Sequence, residues 1–360
     1  MKAILMLEDG KSFAAEAESA IAGSIGEVIL NTAVVGYQQM LTDPANAGKI
    51  LVLTYPLIGN YGCAPKFNES NKVWLSGLVI KEESRIYSNW QAKEGFGDFV
   101  KRNSLPAISK VDTRTLAVHL RQKGSLLGVI STSSFESKEL LNKIAAFRNK
   151  EKASILDKIS TAKKIELGKK NKKKQSIAVL DIGITRSLIA QLEKLGFPLT
   201  LLPYNTRPQE ILRLKPKGLV VSNGPEEDIA LAAVVDNLGA LLGKMPILGI
   251  STGHQLLARC LGAKVTKMKL GHRGVNYPLH NPASYKGEIT VQNHSWVVDA
   301  DSLARIKGVK ITGYNLNDRT VEEIELRKLK VLGVQYLPVS PGMEEVHPVF
   351  KRFLKIITKE

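Results

Sequence analysis

From Ser176 onward the chain alternates short apolar runs with amphipathic segments, and this alternation restricts the fold more than any other feature. Ser176–Leu180, Leu199–Leu202, Gly218–Ser222, Ile247–Ile250, Gly287–Val291 and Val331–Gln335 read as strands. Between them, Arg186–Leu195, Arg207–Leu214, Asp228–Leu242 and His254–Leu261 carry helical periodicity. Strands separated by helices imply a mainly parallel sheet covered on both faces, an α/β fold. Reacting groups in such sheets gather at the carboxyl ends of the strands.

The first 150 or so residues follow a different pattern. Ala3–Leu7, Gly26–Leu30, Lys49–Leu53 and Gly77–Ile80 are β-like runs punctuated by turns such as Asp9-Gly10 and Gly59-Asn60. Thr113–Gln122, with a cap at Asp112 or Thr113, and Ser137–Phe147 read as helices, so this part is an α+β domain. Between the halves, Lys163–Lys174 reads KKIELGKKNKKK, seven lysines against one glutamate, which no packed core could absorb. The expected organisation is therefore an N-terminal domain over 1–152, a Lys-rich linker over 153–175 and an α/β domain over 176–360. A length of 360 residues accommodates two such cores.

Charge is the one unusual bulk property. Fifty-one Lys and Arg against thirty-four Asp and Glu give +17, which raises nucleic acid, membrane surface or an anionic partner. The lysine run alone supplies six of those units. An aromatic content of 6% offers no obvious stacking platform, and no zinc-finger, RRM or helix-turn-helix pattern is present, so a specific nucleic-acid partner is not expected. The most apolar stretch, Ile229–Gly243, is cut by Asp236 and Asn237, which argues against a membrane span. Cys63 and Cys260 cannot build a disulfide framework or a multi-cysteine metal site, and no His or Cys cluster resembles a zinc site. A reducing, cytoplasmic location is the expectation.

Two strand ends stand out. Val220-Val221-Ser222-Asn223-Gly224-Pro225 is an apolar strand running into a Gly-Pro turn. Ile247 to Leu257 is a strand turning at Ser251 into a helix, where Gly249, Ser251 and Gly253 satisfy G-x-S-x-G. That pattern suits a nucleophile elbow, whose small flanking residues permit a strained turn, and it suits a plain tight turn equally well.

Longer stretches add a resemblance. LEDG at Leu7, GEVILNT at Gly26, GYQQMLTDP at Gly36, LTYPLIGNYG at Leu53, SGLVI at Ser76 and VDTRTL at Val111 lie in the first half. SNGP at Ser222, GHQLLA at Gly253, LGAKVTKMKLGHRGVNYP at Leu261, QNH at Gln292, VQY at Val334 and SPG at Ser340 lie in the second. Over nearly its whole length the chain resembles the small, glutamine-amidotransferase subunit of carbamoyl-phosphate synthetases, whose second domain has the class I amidotransferase fold. The resemblance implies a reaction split between two chains, serving arginine and pyrimidine synthesis. The small subunit hydrolyses glutamine, and a large subunit combines the ammonia with bicarbonate and ATP. No cofactor is implied for the small chain itself.

The resemblance also implies a triad of Cys, His and Glu, and the sequence departs from it at every member. Ser251 stands at the Cys position, Leu337 at the His position, and Val339 at or next to the Glu position, in a segment one residue shorter than the family's. A thiol with a pKa near 8.5 ionises readily beside a base, whereas a hydroxyl depends on that base far more heavily. Loss of one member of a triad that acts as a unit can cost roughly 10^6 in rate. In the oxyanion loop Glu226 replaces a glycine, which would remove a backbone donor and add repulsion. Of the positions that the resemblance assigns to glutamine, Gly224, Gln255 and Asn293 match, while Ala45 replaces a Ser, Thr252 a Leu, and Ser295-Trp296 a Gly-Phe.

The expectation is a small chain that holds a large partner, retains at most weak glutamine binding and has lost its glutaminase chemistry. The competing reading is a serine hydrolase using Ser251. Its base would have to come from another histidine. His347 reads as a surface residue at a helix start, His254 and His294 as structural, and His272 beside Arg273 as an organiser of the loop under the elbow.

Overall fold

The computed structural model describes residues 1–150, 153–168, 175–283, 287–339 and 345–358. The chain divides into two compact units, one of Met1–Lys152 with Lys269–Arg273, the other of Ala153–Met268 with Gly274–Glu360.

The first unit is built on a closed, seven-stranded barrel. Its strands are β1 (Lys2–Leu7), β2 (Ser12–Ala17), β3 (Ser24–Asn31), β4 (Ile50–Leu53), β5 (Gly77–Val79), β6 (Ala107–Ser109) and β7 (Leu126–Ser131), in the order β1-β2-β6-β5-β4-β3-β7. β3, β4, β5 and β6 run parallel in succession, and antiparallel pairs complete the ring. Alternate residues divide between two apolar layers. Leu5, Leu7, Val28, Leu30, Ile50 and Val52 fill one, while Ile29, Leu51, Leu53 and Leu78 pack in another. Helix α1 (Thr113–Lys123) begins where the Asp112 carboxylate accepts from the Thr115 N–H at 3.0 Å, an N-cap legible in the sequence. Helix α2 (Ser137–Asn149) presses Leu140 and Ile144 onto Met6 and Val129. The α+β expectation thus resolves into a barrel with helices against it.

The second unit holds a ten-stranded sheet. Its strands are β8 (Ile165–Leu167), β9 (Ile177–Asp181), β10 (Leu199–Pro203), β11 (Gly218–Val221), β12 (Ile247–Ile250), β13 (Val265–His280), β14 (Gly287–Val298), β15 (Lys310–Asn315), β16 (Val321–Leu326) and β17 (Val331–Val334). The order is β8-β10-β9-β11-β12-β17-β16-β15-β13-β14. β10, β9, β11, β12 and β17 form the parallel core. β9 shows the logic: Ile177 and Val179 face one cluster, Ala178 and Leu180 the other, and every residue is buried. Helices α4 (Arg186–Glu193) and α7 (Pro348–Thr358) cover the first face through Leu188, Leu192, Phe350 and Phe353. Helices α5 (Leu231–Gly239) and α6 (Thr252–Cys260) cover the second through Leu231, Val234, Leu256 and Leu257.

One expectation needs correction. The stretch assigned to a linker, 153–175, belongs to the second unit over Ala153–Gly168. Leu156, in the short helix α3 (Leu156–Ile159), is fully buried in the sheet's core. β8 pairs antiparallel with β10. The lysine count concealed this because a single buried leucine suffices to dock so short a helix, and an edge strand pairs through its backbone whatever side chains it carries. The rest of the run, Lys169–Lys174, lies outside the described residues. Among the described residues, no helix is long and apolar enough to cross a membrane.

Candidate active site

The parallel register brings three strand ends to one edge of the sheet. β11 ends at Val221, β12 at Ile250 and β17 at Val334, with Val221 beside Gly249 and Ile250 beside Val334. Past these ends lie Ser222–Asp228, the turn at Ser251, and Gln335–Val339.

Ser251 has φ 53° and ψ −111°, a conformation that L residues rarely enter, and it is buried. Three features hold it there. Its N–H donates to the Val334 carbonyl at 2.8 Å, the Gly253 N–H donates to the Ser222 carbonyl at 3.1 Å, and α6 begins at Thr252, two residues earlier than its periodicity indicated. The flanking glycines are compulsory. A Cβ at Gly249 would stand 2.5 Å from the Gly253 carbonyl oxygen, and one at Gly253 only 2.1 Å from the Val221 oxygen. A Cβ at Gly224 would meet the Ile182 oxygen at 2.0 Å. The elbow geometry is therefore complete around a serine. No hydrogen bond to Ser251 Oγ occurs among the described residues.

Leu337 and Val339 sit beyond β17. The Leu337 N–H donates to the Val291 carbonyl at 2.9 Å, and its side chain belongs to the apolar cluster beneath α4 and α7. Val339 packs against the same cluster, its N–H donating to the Leu337 carbonyl at 2.8 Å. Between the strand and Leu337, the Tyr336 hydroxyl donates to Glu323 Oε1 at 2.7 Å while Arg352 donates to Glu323 Oε2 at 2.7 Å. Burial and the adjacent Glu323 carboxylate hold the Tyr336 phenol neutral, its pKa well above the usual value. The segment is thus braced by packing and by the Tyr336–Glu323–Arg352 hydrogen bonds. The SPG motif at Ser340 lies outside the described residues.

The histidines considered as substitute bases are buried or engaged away from Ser251. His347 is buried, contrary to the surface position expected of it. It starts α7 with Nδ1 accepting from the Val349 N–H at 3.3 Å, while Nε2 meets Glu288 at 2.9 Å. His254 is fully buried beneath Gly333, where burial drives its pKa down to about 3, so the ring is neutral. His294 Nδ1 donates to the Trp296 carbonyl at 3.1 Å. His272 and Arg273 group with the first unit. Both thiols are pushed up to about 12, chiefly by burial, so neither is a ready nucleophile.

The residues assigned to glutamine are distributed unevenly. Ala45 lies in the first unit, in a short turn whose Ala45 N–H donates to Asp43 at 2.9 Å. The others lie in the second unit, and their geometry centres on Glu226. Its Oε2 accepts from the Ser295 N–H at 2.7 Å, and its Oε1 accepts from the Trp296 N–H at 3.1 Å and from Gln255 Nε2 at 2.8 Å. Gln255 Nε2 also donates to the Trp296 carbonyl at 2.9 Å. The Thr252 hydroxyl donates to the Gly224 carbonyl at 2.6 Å. Asn293, on the same strand as Ser295 and Trp296, is half-buried. The neighbouring acids are engaged too. Glu227 meets Trp296 Nε1 at 2.9 Å and Lys267 at 2.6 Å, and Asp228 accepts from Ser154 and the Ile155 N–H.

The second unit, an open sheet with an elbow at its carboxyl edge, has the class I glutamine amidotransferase fold. Residues 178–356 match the family model described as "Glutamine amidotransferase class-I", and residues 5–130 match "Carbamoyl-phosphate synthase small chain, CPSase domain". The carbamoyl phosphate synthase small chain of Akkermansia muciniphila is 38% identical, the alignment covering 99% of this chain and 98% of that one. That of Chlorobaculum tepidum is 37% identical with the same coverage, and that of Listeria monocytogenes 35% identical over 99% and 97%. The chain belongs to the carbamoyl phosphate synthase small chain family.

Proposed function

We propose that this chain is a glutaminase-silent small subunit, which pairs with a carbamoyl phosphate synthase large chain without supplying ammonia from glutamine. The observation that carries the reading is the isolation of Ser251. Among the described residues its Oγ has no imidazole or carboxylate partner, and the next strand end presents Leu337 and Val339 packed into an apolar cluster. A serine hydroxyl with no base is a poor nucleophile, since its pKa lies far above neutrality and nothing removes the proton. In this reading the large partner binds ATP and bicarbonate and takes free ammonia, the small chain carries no cofactor of its own, and the heterodimer is cytoplasmic and serves arginine and pyrimidine synthesis. The experiment is glutamate release from glutamine by the purified chain, alone and with the large chain. The expected outcome is release at the buffer background with ammonia-supported carbamoyl phosphate synthesis intact. Turnover near one per second would overturn the reading, because loss of a triad member costs roughly 10^6 in rate.

A second reading, a serine hydrolase, draws on the intact elbow at Ser251. It requires a general base within hydrogen-bonding reach, and the partners of His294 and His347 together with the full burial of His254 weigh against it.

A further inference from the structure

At the carboxyl edge of the sheet, two consecutive backbone N–H groups and a side-chain amide converge on one carboxylate. Ser295 and Trp296 present such a pair, Gln255 adds its Nε2, and the occupant is Glu226, from a loop on another strand end. Gln255 is 3% exposed and Ser295 2%, so these donors are built into the core and are not surface groups that happen to meet an acid. Glu226 itself is only half-buried, and the loop bearing it begins with the sterically locked Gly224. The donors are thus set by the core, while the carboxylate they hold comes from a loop partly open to solvent.

We propose that this chain fills its own carboxylate receptor with Glu226, and that the receptor accepts a small aliphatic carboxylate, including that of an α-amino acid, once Glu226 is removed. The last clause deepens the reading above and rests on it, because the resemblance assigns Gln255, Ser295 and Trp296 to the glutamine end of the site. The physics is simple competition. A tethered carboxylate three residues beyond Asn223 acts at a high effective concentration, so an external anion must exceed that concentration to displace it. Charge-assisted bonds to three donors make the occupant hard to dislodge and leave those donors unsatisfied when it is gone.

The test is the thermal unfolding midpoint as a function of sodium acetate, with sodium chloride at matched ionic strength as control. In Glu226→Ala the midpoint should be lower than in the unsubstituted chain and should rise saturably with acetate, half-saturating at least ten-fold below any response of the unsubstituted chain. Should Glu226→Ala fail to fold, Glu226→Gln preserves the volume and removes the charge, and the same ten-fold difference is expected of it. A chloride-like response in the variant, or equal acetate responses in variant and unsubstituted chain, overturns the proposal. L-Glutamine forms a second arm. Saturable binding to the variant and none to the unsubstituted chain supports the amino-acid assignment, and acetate binding without any glutamine binding overturns it. The acetate arm needs neither glutaminase activity nor a large chain, so its failure is distinct from failure of the glutaminase-silent reading, which only glutamate release can overturn.

Discussion

At Ser251 the backbone and the side chain tell different stories. The backbone keeps a conformation that costs of order 1–3 kcal/mol and that a nucleophile elbow requires. Among the described residues the side chain has no partner that could draw its proton. We expect a fluorophosphonate to leave Ser251 unlabelled after prolonged incubation at pH 7.5, as read by intact-mass spectrometry. We also expect Ser251→Cys to release no glutamate above background, because the thiol would still have Leu337 where an imidazole is needed to ionise it. These substitutions were legible in the sequence because the glycines, the Ser222–Pro225 turn and the Gln335–Val339 segment frame them. The destination of Glu226 was not. Its N–H partners lie 69 and 70 residues further along, on a strand the sequence only half revealed, and a carboxylate's loop position says nothing about the direction in which it folds.

Among elements, the strands that escaped the sequence reading did so for physical reasons. β16 is VEEIEL, which looks solvent-facing, yet Glu322 and Glu323 are both buried. Glu322 accepts from Gln292 and Asn315, and Glu323 from Tyr336, Arg352 and Thr312. Partners supplied by distant segments made that burial tolerable, and no local pattern announces them. β2, SFAAEA, alternates in burial but draws on alanines, which are weak strand formers. The parallel strands were legible because burial on both faces writes itself as an unbroken apolar run. Helix α6 carries a further consequence. His254 titrates near 6.5 when unfolded and at about 3 when folded, so its contribution to stability is complete above pH 6.5 and is lost as pH falls toward 3. Between pH 7 and pH 5 the unfolded state gains about 2 kcal/mol from this proton alone. Urea denaturation of the native chain against His254→Leu should show a stability difference that shifts by about that amount against the native chain over the two pH values.

For the molecule as a whole, the +17 charge divides into parts with different meanings. Six units lie in Lys163–Lys174, and others are spread over stretches such as Lys264–Lys269. If the basic surface contributes to docking the large chain, association should weaken at least ten-fold between 50 and 500 mM salt, measured by titration calorimetry, since screening shortens the Debye length from about 14 Å to about 4 Å. The same lysines have a second effect. β8 stands at the end of the ten-stranded sheet, three residues long, paired on one side to β10. Lys163 and Lys164 precede it, and Lys164 meets Glu166 at 3.2 Å within it. An open sheet edge is a template on which another chain can add a strand, and brevity with charge is the usual protection. Exchanging these residues for threonine or valine would therefore be felt first as self-association in concentrated solution, with the catalytic history of the protein playing no part in it.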